Sequence, residues 1–322
     1  MLKTISGTWF EFSHHNKPEG KYWNNTVKDF TDRQWEEKVD EIASLGMKYI
    51  VLMCSSLVYE DEACAYFKTD IYPFADIAAK DPIAALLRAA DRNGIKVFLS
   101  CGFYGFWENA RGNMTDPQVK QRAFRAMEQL TALYGNYKSF YGWYLPDEVG
   151  IRVFFDDDFI GYVNDYSAFA KTLDKSRKIL IAPYGTNRVT ADDNFVSCLQ
   201  RLDCDFIAYQ DEVGVRKSKP EQTAAYFEAL RRAHDKAARS ALWADMEVFE
   251  FEGDVYRSAL IPANMSRIEK QLESISPYAD EILIYQYEGM FNKPGTNAFC
   301  GHPDSVKLYN DYADFLKRNG TN

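Results

Sequence analysis

The chain alternates short apolar runs with longer amphipathic stretches, and it does so eight times. The apolar runs are 4–8 residues long and predict strands; the longer stretches carry a helical spacing of apolar positions. The first strand is expected over Ile5–Phe12, followed by a helix over about Asp32–Leu45. Thr31 with Gln34 three residues on is a capping-box pattern, and Gly46 ends that helix. The second run, Lys48-Tyr-Ile-Val-Leu-Met-Cys54, is continuously apolar, as a parallel strand buried on both faces should be. Asp81-Pro82 and Asp116-Pro117 then open helices ending near Gly94 and Tyr134, with proline at the first helical position. Between them lies a strand over Lys96–Cys101, and after them one over Phe140–Leu145. The remaining strands fall at Lys178–Ala182, Asp205–Tyr209, Ala241–Met246 and Glu281–Tyr287. The helices between and after them fall at about Phe159–Leu173, Asn194–Arg201, Pro220–Ala238, Ala263–Ile275 and Ser305–Arg318. No linker or low-complexity tract interrupts this order, so residues 1–322 read as one domain. Strict strand–helix alternation argues for a parallel sheet, here a single (β/α)8 barrel. An open doubly wound sheet is disfavoured because Thr8-Trp-Phe-Glu-Phe12 stands where a glycine-rich phosphate loop would follow the first strand.

Barrel enzymes place their chemistry at the C-terminal ends of the strands. The residues found there are Glu11, His14 and His15; Ser55 and Ser56; Phe103-Tyr-Gly-Phe-Trp-Glu-Asn109; Pro146-Asp-Glu148; Tyr184 and Asn187; Tyr209-Gln-Asp-Glu212; Asp245-Met-Glu247; and Tyr285-Gln-Tyr-Glu288. This rim is acidic, aromatic and rich in amides. Lys48, Lys96 and Lys178 lie at strand starts, the wrong end for a Schiff-base lysine. There are four histidines and no His-x-His pair on the first strand, so neither a metal nor any other cofactor is expected.

Composition narrows the partner. A net charge of −9 argues against nucleic acid. No stretch is long enough to span a membrane. The start MLKTISGTWFEF lacks the apolar segment of a signal peptide and reads as a cytoplasmic chain; one whose leader had been removed would read the same and be secreted or periplasmic. Oligomeric state is not legible. The six cysteines show no metal spacing and are expected reduced and buried, although Cys54 and Cys101 fall near the ends of neighbouring strands, where a bridge could form. The aromatic share is 15%; most of these side chains belong to a large core and some are candidates to line a sugar cleft, with position along the strands deciding between the two. Trp9, Trp143 and Trp243 lie within strands and belong to the core, whereas Trp23 and Trp107 lie in loops and are candidates to stack on sugar rings.

What remains suits an uncharged polyol. Tyr184, Asn187, Gln210, Tyr285 and Glu11 would bind hydroxyls. Glycoside hydrolysis needs two carboxyl groups flanking the scissile bond. Glu148 and Glu247 follow strands four and seven, on opposite sides of a barrel mouth. Rivals exist: Asp245 could pair inside the barrel, Glu250 and Glu252 read as a solvated acidic loop, and Asp211 with Glu212 as a hydrogen-bonded one.

Gly142-Trp-Tyr-Leu-Pro-Asp-Glu148 and Leu242-Trp-Ala-Asp-Met-Glu247 resemble the fourth- and seventh-strand motifs of clan A glycoside hydrolases. From Gly7-Thr-Trp-Phe onward the chain also resembles a bacterial family of glycosidase-like TIM barrels, many without an assigned substrate; Asp205-Phe-Ile-Ala-Tyr-Gln-Asp211 is similar to its sixth strand. The resemblance implies a retaining hydrolase with Glu148 as acid/base, Glu247 as nucleophile and Tyr209 orienting the nucleophile, over a cleft walled by Tyr209, Tyr285 and loop aromatics. It implies the closer carboxyl spacing of retaining enzymes, about 5–5.5 Å. Asp147 stands where the clan usually has an Asn that binds the sugar 2-hydroxyl, so Asp147 is expected to accept from that hydroxyl and to raise the pKa of Glu148. The alternative of another class is a carbohydrate-binding barrel that keeps the cleft without turnover.

Overall fold

The structure, a computed structural model, describes residues 2–320. Eight strands run Gly7–Phe10 (β1), Tyr49–Leu52 (β2), Lys96–Ser100 (β3), Phe140–Leu145 (β4), Lys178–Ile181 (β5), Phe206–Gln210 (β6), Ala241–Glu247 (β7) and Glu281–Tyr285 (β8). All neighbours pair in parallel, and β8 pairs back onto β1, which closes the barrel. The helices that alternate with them are Asp32–Ser44 (α1), Pro82–Asn93 (α2), Pro117–Tyr134 (α3), Asp157–Leu173 (α4), Asp193–Arg201 (α5), Pro220–Ala237 (α6), Met265–Ile275 (α7) and Ser305–Arg318 (α8). The fold is the (β/α)8 barrel that the alternating pattern predicts.

Local chemistry sets the helix starts. Thr31 Oγ1 accepts from the Gln34 backbone N–H at 3.4 Å, and Gln34 Oε1 accepts from the Thr31 N–H at 3.0 Å. Asp81 and Asp116 each cap the proline-initiated helix that follows, accepting from Ala84 N at 3.0 Å and Gln118 N at 2.7 Å. Such caps are each worth about 1 kcal/mol.

The lower half of the barrel is filled with rings. Phe206 stacks on Trp243 at 4.2 Å, and Tyr49, Phe98 and Tyr141 pack around them. The register between β3 and β4 shifts, pairing Val97 with Phe140 but Phe98 with Gly142. Tyr141 is the extra residue of this bulge, which lets Tyr141 join the ring layer while Tyr144 serves the layer above. Gly142 tolerates no side chain here: an added Cβ would lie 2.3 Å from the backbone oxygen of Lys178. This plug leaves the barrel open only at the C-terminal ends of the strands.

Two antiparallel hairpins rise from that end, Ser56–Val58 with Ala63–Ala65 after β2, and Phe249–Phe251 with Leu260–Pro262 after β7. Neither was expected; the second replaces the acidic loop inferred around Glu250. All six cysteines are free thiols, so Cys54 and Cys101 are not bridged. No helix among the described residues is long and apolar enough to cross a membrane.

Candidate active site

A cleft of about 650 Å³ opens at the C-terminal mouth of the barrel. Glu148, Gln210, Glu247 and Tyr285 line it together with Tyr184 and Trp107. Six of the residues singled out from sequence therefore meet in one cavity.

Glu148 stands just beyond β4. Its Oε1 accepts from the Tyr144 hydroxyl at 3.0 Å and its Oε2 from Gln210 Nε2 at 2.7 Å. Gln210 reaches it because Phe206, Ala208 and Gln210 share the inward face of β6. Burial pushes the Glu148 carboxyl up to about 7; the two hydrogen bonds and His15 hold it down, and Asp147 adds to the rise. Glu247 ends β7, almost wholly buried, and its Oε2 accepts from the Val215 N–H at 2.8 Å. Its backbone is clamped: the N–H donates to Asp211 Oδ1 at 3.1 Å, and the carbonyl accepts from Arg267 at 2.8 Å and Gln271 at 3.0 Å. Burial and the neighbouring Asp211 raise the Glu247 carboxyl. Asp211 takes three donors (Glu247 N, Val213 N and Gln271 Nε2), which favour its charged form against the rise that burial causes.

The opposite wall is a network built on the loop after β1. Tyr285 donates to Glu11 Oε1 and faces His14 Nε2 at 3.1 Å; the His15 N–H donates to Glu11 Oε2 at 3.2 Å. Burial alone would raise Glu11, but His14, His15 and the hydrogen bonds outweigh it and bring its pKa to about 2. His15 lines the cleft with its ring edge-on to Trp107 at 4.8 Å. Burial would lower its pKa, yet Glu11, Glu19 and Glu148 raise it. Glu11, His14 and His15 hold ligand-type atoms within 4.8 Å of one another, the spacing of a metal cluster. The hydrogen bonds disfavour that use. His14 Nδ1 accepts the Asn16 N–H at 3.1 Å, which assigns the proton of the neutral ring to Nε2 and leaves no lone pair there for a metal.

Several expectations fail by position. Tyr209 faces the helices, not the cleft: it is fully buried and its hydroxyl meets His234 Nε2 on α6 at 2.9 Å, so it cannot orient Glu247. The cause is strand alternation, which turns Gln210 inward and Tyr209 outward. Asp147 points away from Glu148 and binds Asn113 Nδ2 at 2.9 Å and the Tyr162 hydroxyl at 3.5 Å; burial lifts its pKa to about 7, and it anchors the loop instead of touching the cleft. Its expected influence on the pKa of Glu148 is present. Trp23 is fully buried against His14 and Gly289, a core residue and not a platform. Glu11 lies behind Tyr285 and His15 and does not line the cleft. Asn187 donates to the Lys217 carbonyl at 3.2 Å, tying two rim loops together. Among the rivals, Glu252 pairs with Lys21 at 2.9 Å on the surface and Glu250 faces Arg267 at 3.6 Å.

Other lining residues escaped the sequence reading: Glu19, Lys217, Phe249, Tyr256 and Arg257 come from the loop after β1, the loop after β6 and the hairpin after β7. Asp245 also faces the cleft, where pairing within the barrel had been expected. Its place two residues before Glu247 on one strand was the available signal.

The sequence of residues 5–298 matches the family described as "Domain of unknown function (DUF4434)". The chain belongs to the DUF4434 family. No curated protein sequence matches it. Among solved structures it is similar to a "putative alpha-L-fucosidase" from Bacteroides thetaiotaomicron, at 15% identity and a TM-score of 0.74, over 97% of this chain and 93% of that one. It is also similar to an endo-1,4-beta-mannanase from Rhizomucor miehei, at 11% identity and a TM-score of 0.56, over 98% and 95% of the two chains. A beta-galactosidase from Halorubrum lacusprofundi matches at 12% identity and a TM-score of 0.63, over 99% of this chain and 58% of its own. At these identities the likeness establishes the barrel architecture.

Proposed function

We propose that this DUF4434 protein is a retaining glycoside hydrolase in which Glu148 acts as acid/base and Glu247 as nucleophile. The observation that carries the reading is that both carboxyl groups open into one aromatic-walled cleft, from strands on opposite sides of the barrel. Glu148, with a pKa of about 7, keeps its proton into the neutral range and can deliver it to a leaving oxygen. Glu247 is held by its backbone at three points, so its carboxyl is pre-positioned toward the anomeric carbon. To attack, Glu247 must be ionised, against the rise that burial and Asp211 cause. Activity is then expected to rise with pH as Glu247 ionises and to fall as Glu148 loses its proton, a bell lying above the ordinary carboxyl range. Trp107, Tyr184 and Tyr285 would contact sugar rings, and Gln210 and Asn16 would bind hydroxyls.

A panel of aryl glycosides and oligosaccharides, including α-L-fucosides, β-galactosides and β-mannans, tests this reading by release of aglycone or reducing ends. Glu247→Ala should abolish turnover, with partial rescue by azide in place of the nucleophile. Glu148→Ala should spare substrates whose leaving groups need no proton. Near-normal turnover by Glu247→Ala would refute the assignment. The alternative, a carbohydrate-binding barrel without turnover, is favoured by one feature: burial and Asp211 raise the Glu247 carboxyl, which disfavours an ionised nucleophile, and no Lys or Arg among the described residues forms an ion pair with it. It predicts saturable sugar binding and no bond cleavage anywhere in the panel.

A further inference from the structure

The floor of the cleft carries a third carboxyl group. Asp245 lies on β7 two residues before Glu247, so the two side chains project from the same face of the strand into the barrel mouth. Its neighbours in register are Gln210 on β6, which holds Glu148, and Leu283 on β8. It is 3% exposed, yet it borders the cleft. Its Oδ1 is fully buried without a hydrogen-bond partner. Only the Asp245 backbone is engaged from that side, its carbonyl accepting from Asp211 N at 3.0 Å.

Resting on the hydrolase reading above, we propose that Asp245 is a substrate-binding residue that donates a hydrogen bond to a hydroxyl of the sugar ring held between Glu148 and Glu247. The acidic groups facing it are Glu148, Glu247 and Asp211. No Lys or Arg side chain among the described residues forms an ion pair with it. Burial and those three carboxyl groups push its pKa well above the ordinary value, so the group is an O–H donor as well as an acceptor. A buried carboxyl without a hydrogen-bond partner is destabilising, and a ligand hydroxyl meeting its cleft-side oxygen supplies one. A neutral third acid beside two others also keeps excess charge out of the centre. An ionised Asp245 would repel Glu247 as it ionises; a neutral one leaves the pair free to hold opposite protonation states.

The test compares wild type, Asp245→Asn and Asp245→Ala in two assays. The first is kcat/KM on whichever aryl fucoside, galactoside, mannoside or glucoside the wild type cleaves. The second is the Kd for L-fucose, D-galactose, D-mannose and D-glucose, by NMR titration. The amide of Asp245→Asn can donate from the same place, so it should stay within about 3-fold of wild type. Asp245→Ala should lose about 10- to 100-fold, the range for a lost hydrogen bond to a buried group. A substrate lacking the hydroxyl concerned should be impaired in wild type and no further impaired in Asp245→Ala. An Asp245→Ala protein equal to wild type in both assays would overturn the proposal. So would an Asp245→Asn protein as damaged as Asp245→Ala, since charge and not donation would then be needed. Circular dichroism confirms folding; if the alanine protein fails to fold, Asp245→Asn with the deoxy series decides alone. If the wild type binds a monosaccharide but cleaves nothing, the hydrolase reading falls and the Kd comparison still judges Asp245. If it neither binds nor cleaves, both fall.

Discussion

Tyr144→Phe should raise the pKa of Glu148 by about one unit. The deleted hydroxyl donates to Glu148 Oε1 at 3.0 Å, and Phe fills the same buried space. Hydrogen bonds to a charged group contribute about 1.5–3 kcal/mol. At 3.0 Å this one is longer than the roughly 2.5–2.7 Å of a strong O–H···O⁻ bond, which points to the low end. The tyrosine oxygen can also accept from the protonated acid, which cancels part of the preference. About 1.4 kcal/mol remains, equal to about one pKa unit. The Glu148 midpoint should then move from about 7 in the wild type to about one unit higher. The assay is carboxyl 13C NMR titration of glutamate-labelled protein, with the Glu148 resonance assigned by its loss in Glu148→Gln. Gln210→Leu, which removes the shorter 2.7 Å bond, should raise the midpoint at least as far. Tyr285→Phe, which bonds Glu11 and not Glu148, should leave it unmoved. An unchanged or lowered midpoint in Tyr144→Phe would refute the reasoning that these two donors hold Glu148 down.

Asp211→Asn should lower the Glu247 midpoint, because the neighbouring carboxylate is a main cause of its rise; the same titration should show it, and an upward shift would contradict the coupling. The same substitution should cost about 1–3 kcal/mol of stability in urea unfolding, since an amide cannot accept all three donors that Asp211 takes. Gly142→Ala should destabilise by about 1–3 kcal/mol, because the new methyl meets the backbone of β5 and neither strand can retreat; an unfolding midpoint equal to wild type would be contrary. Thermal stability should fall as pH rises from about 6.5 to 8. Glu19, Asp147 and Glu148 are all held up at about 7 in the folded state, so between their unfolded and folded pKa values the native protein binds more protons and loses stability with rising pH. His14 and His234, lowered to about 4, act in the opposite sense, but their contribution is complete once the pH exceeds the unfolded value of about 6.5. A melting temperature that rises from pH 6.5 to 8 would contradict this balance.

The barrel was legible because parallel strands buried on both faces leave continuous apolar runs and the intervening helices carry their own start and stop signals. The bounds of β4 and of α3 fall where the residues predict them. Glu148 and Glu247 were legible as cleft-lining residues because one lies just past a strand and the other ends one. Errors arose where direction, not position, mattered. Tyr209 and Gln210 are adjacent, and a phase of one residue decides which faces the cleft; the apolar run of β6 does not encode that phase. Asp147 and Glu148 are adjacent and diverge, one side chain reaching Asn113 and the other the cleft, a choice that sequence adjacency does not encode. The hairpin after β7 was hidden because Phe249-Glu-Phe251 spans too few residues for alternation to register, and its partner strand lies eleven residues on from Phe249. Trp23 was misplaced because the loop that carries it folds under Gly289, a contact that no local pattern announces.

The most direct test of the central claim is to trap the covalent intermediate. A 2-deoxy-2-fluoro glycoside of the configuration that the protein cleaves, bearing a good leaving group, should inactivate it stoichiometrically. Mass spectrometry of the digested protein should then place the fluorosugar on the peptide containing Glu247, and Glu247→Gln should remain unlabelled. Label on Glu148 or Asp245, or product released with the opposite anomeric configuration and no label at all, would contradict the account.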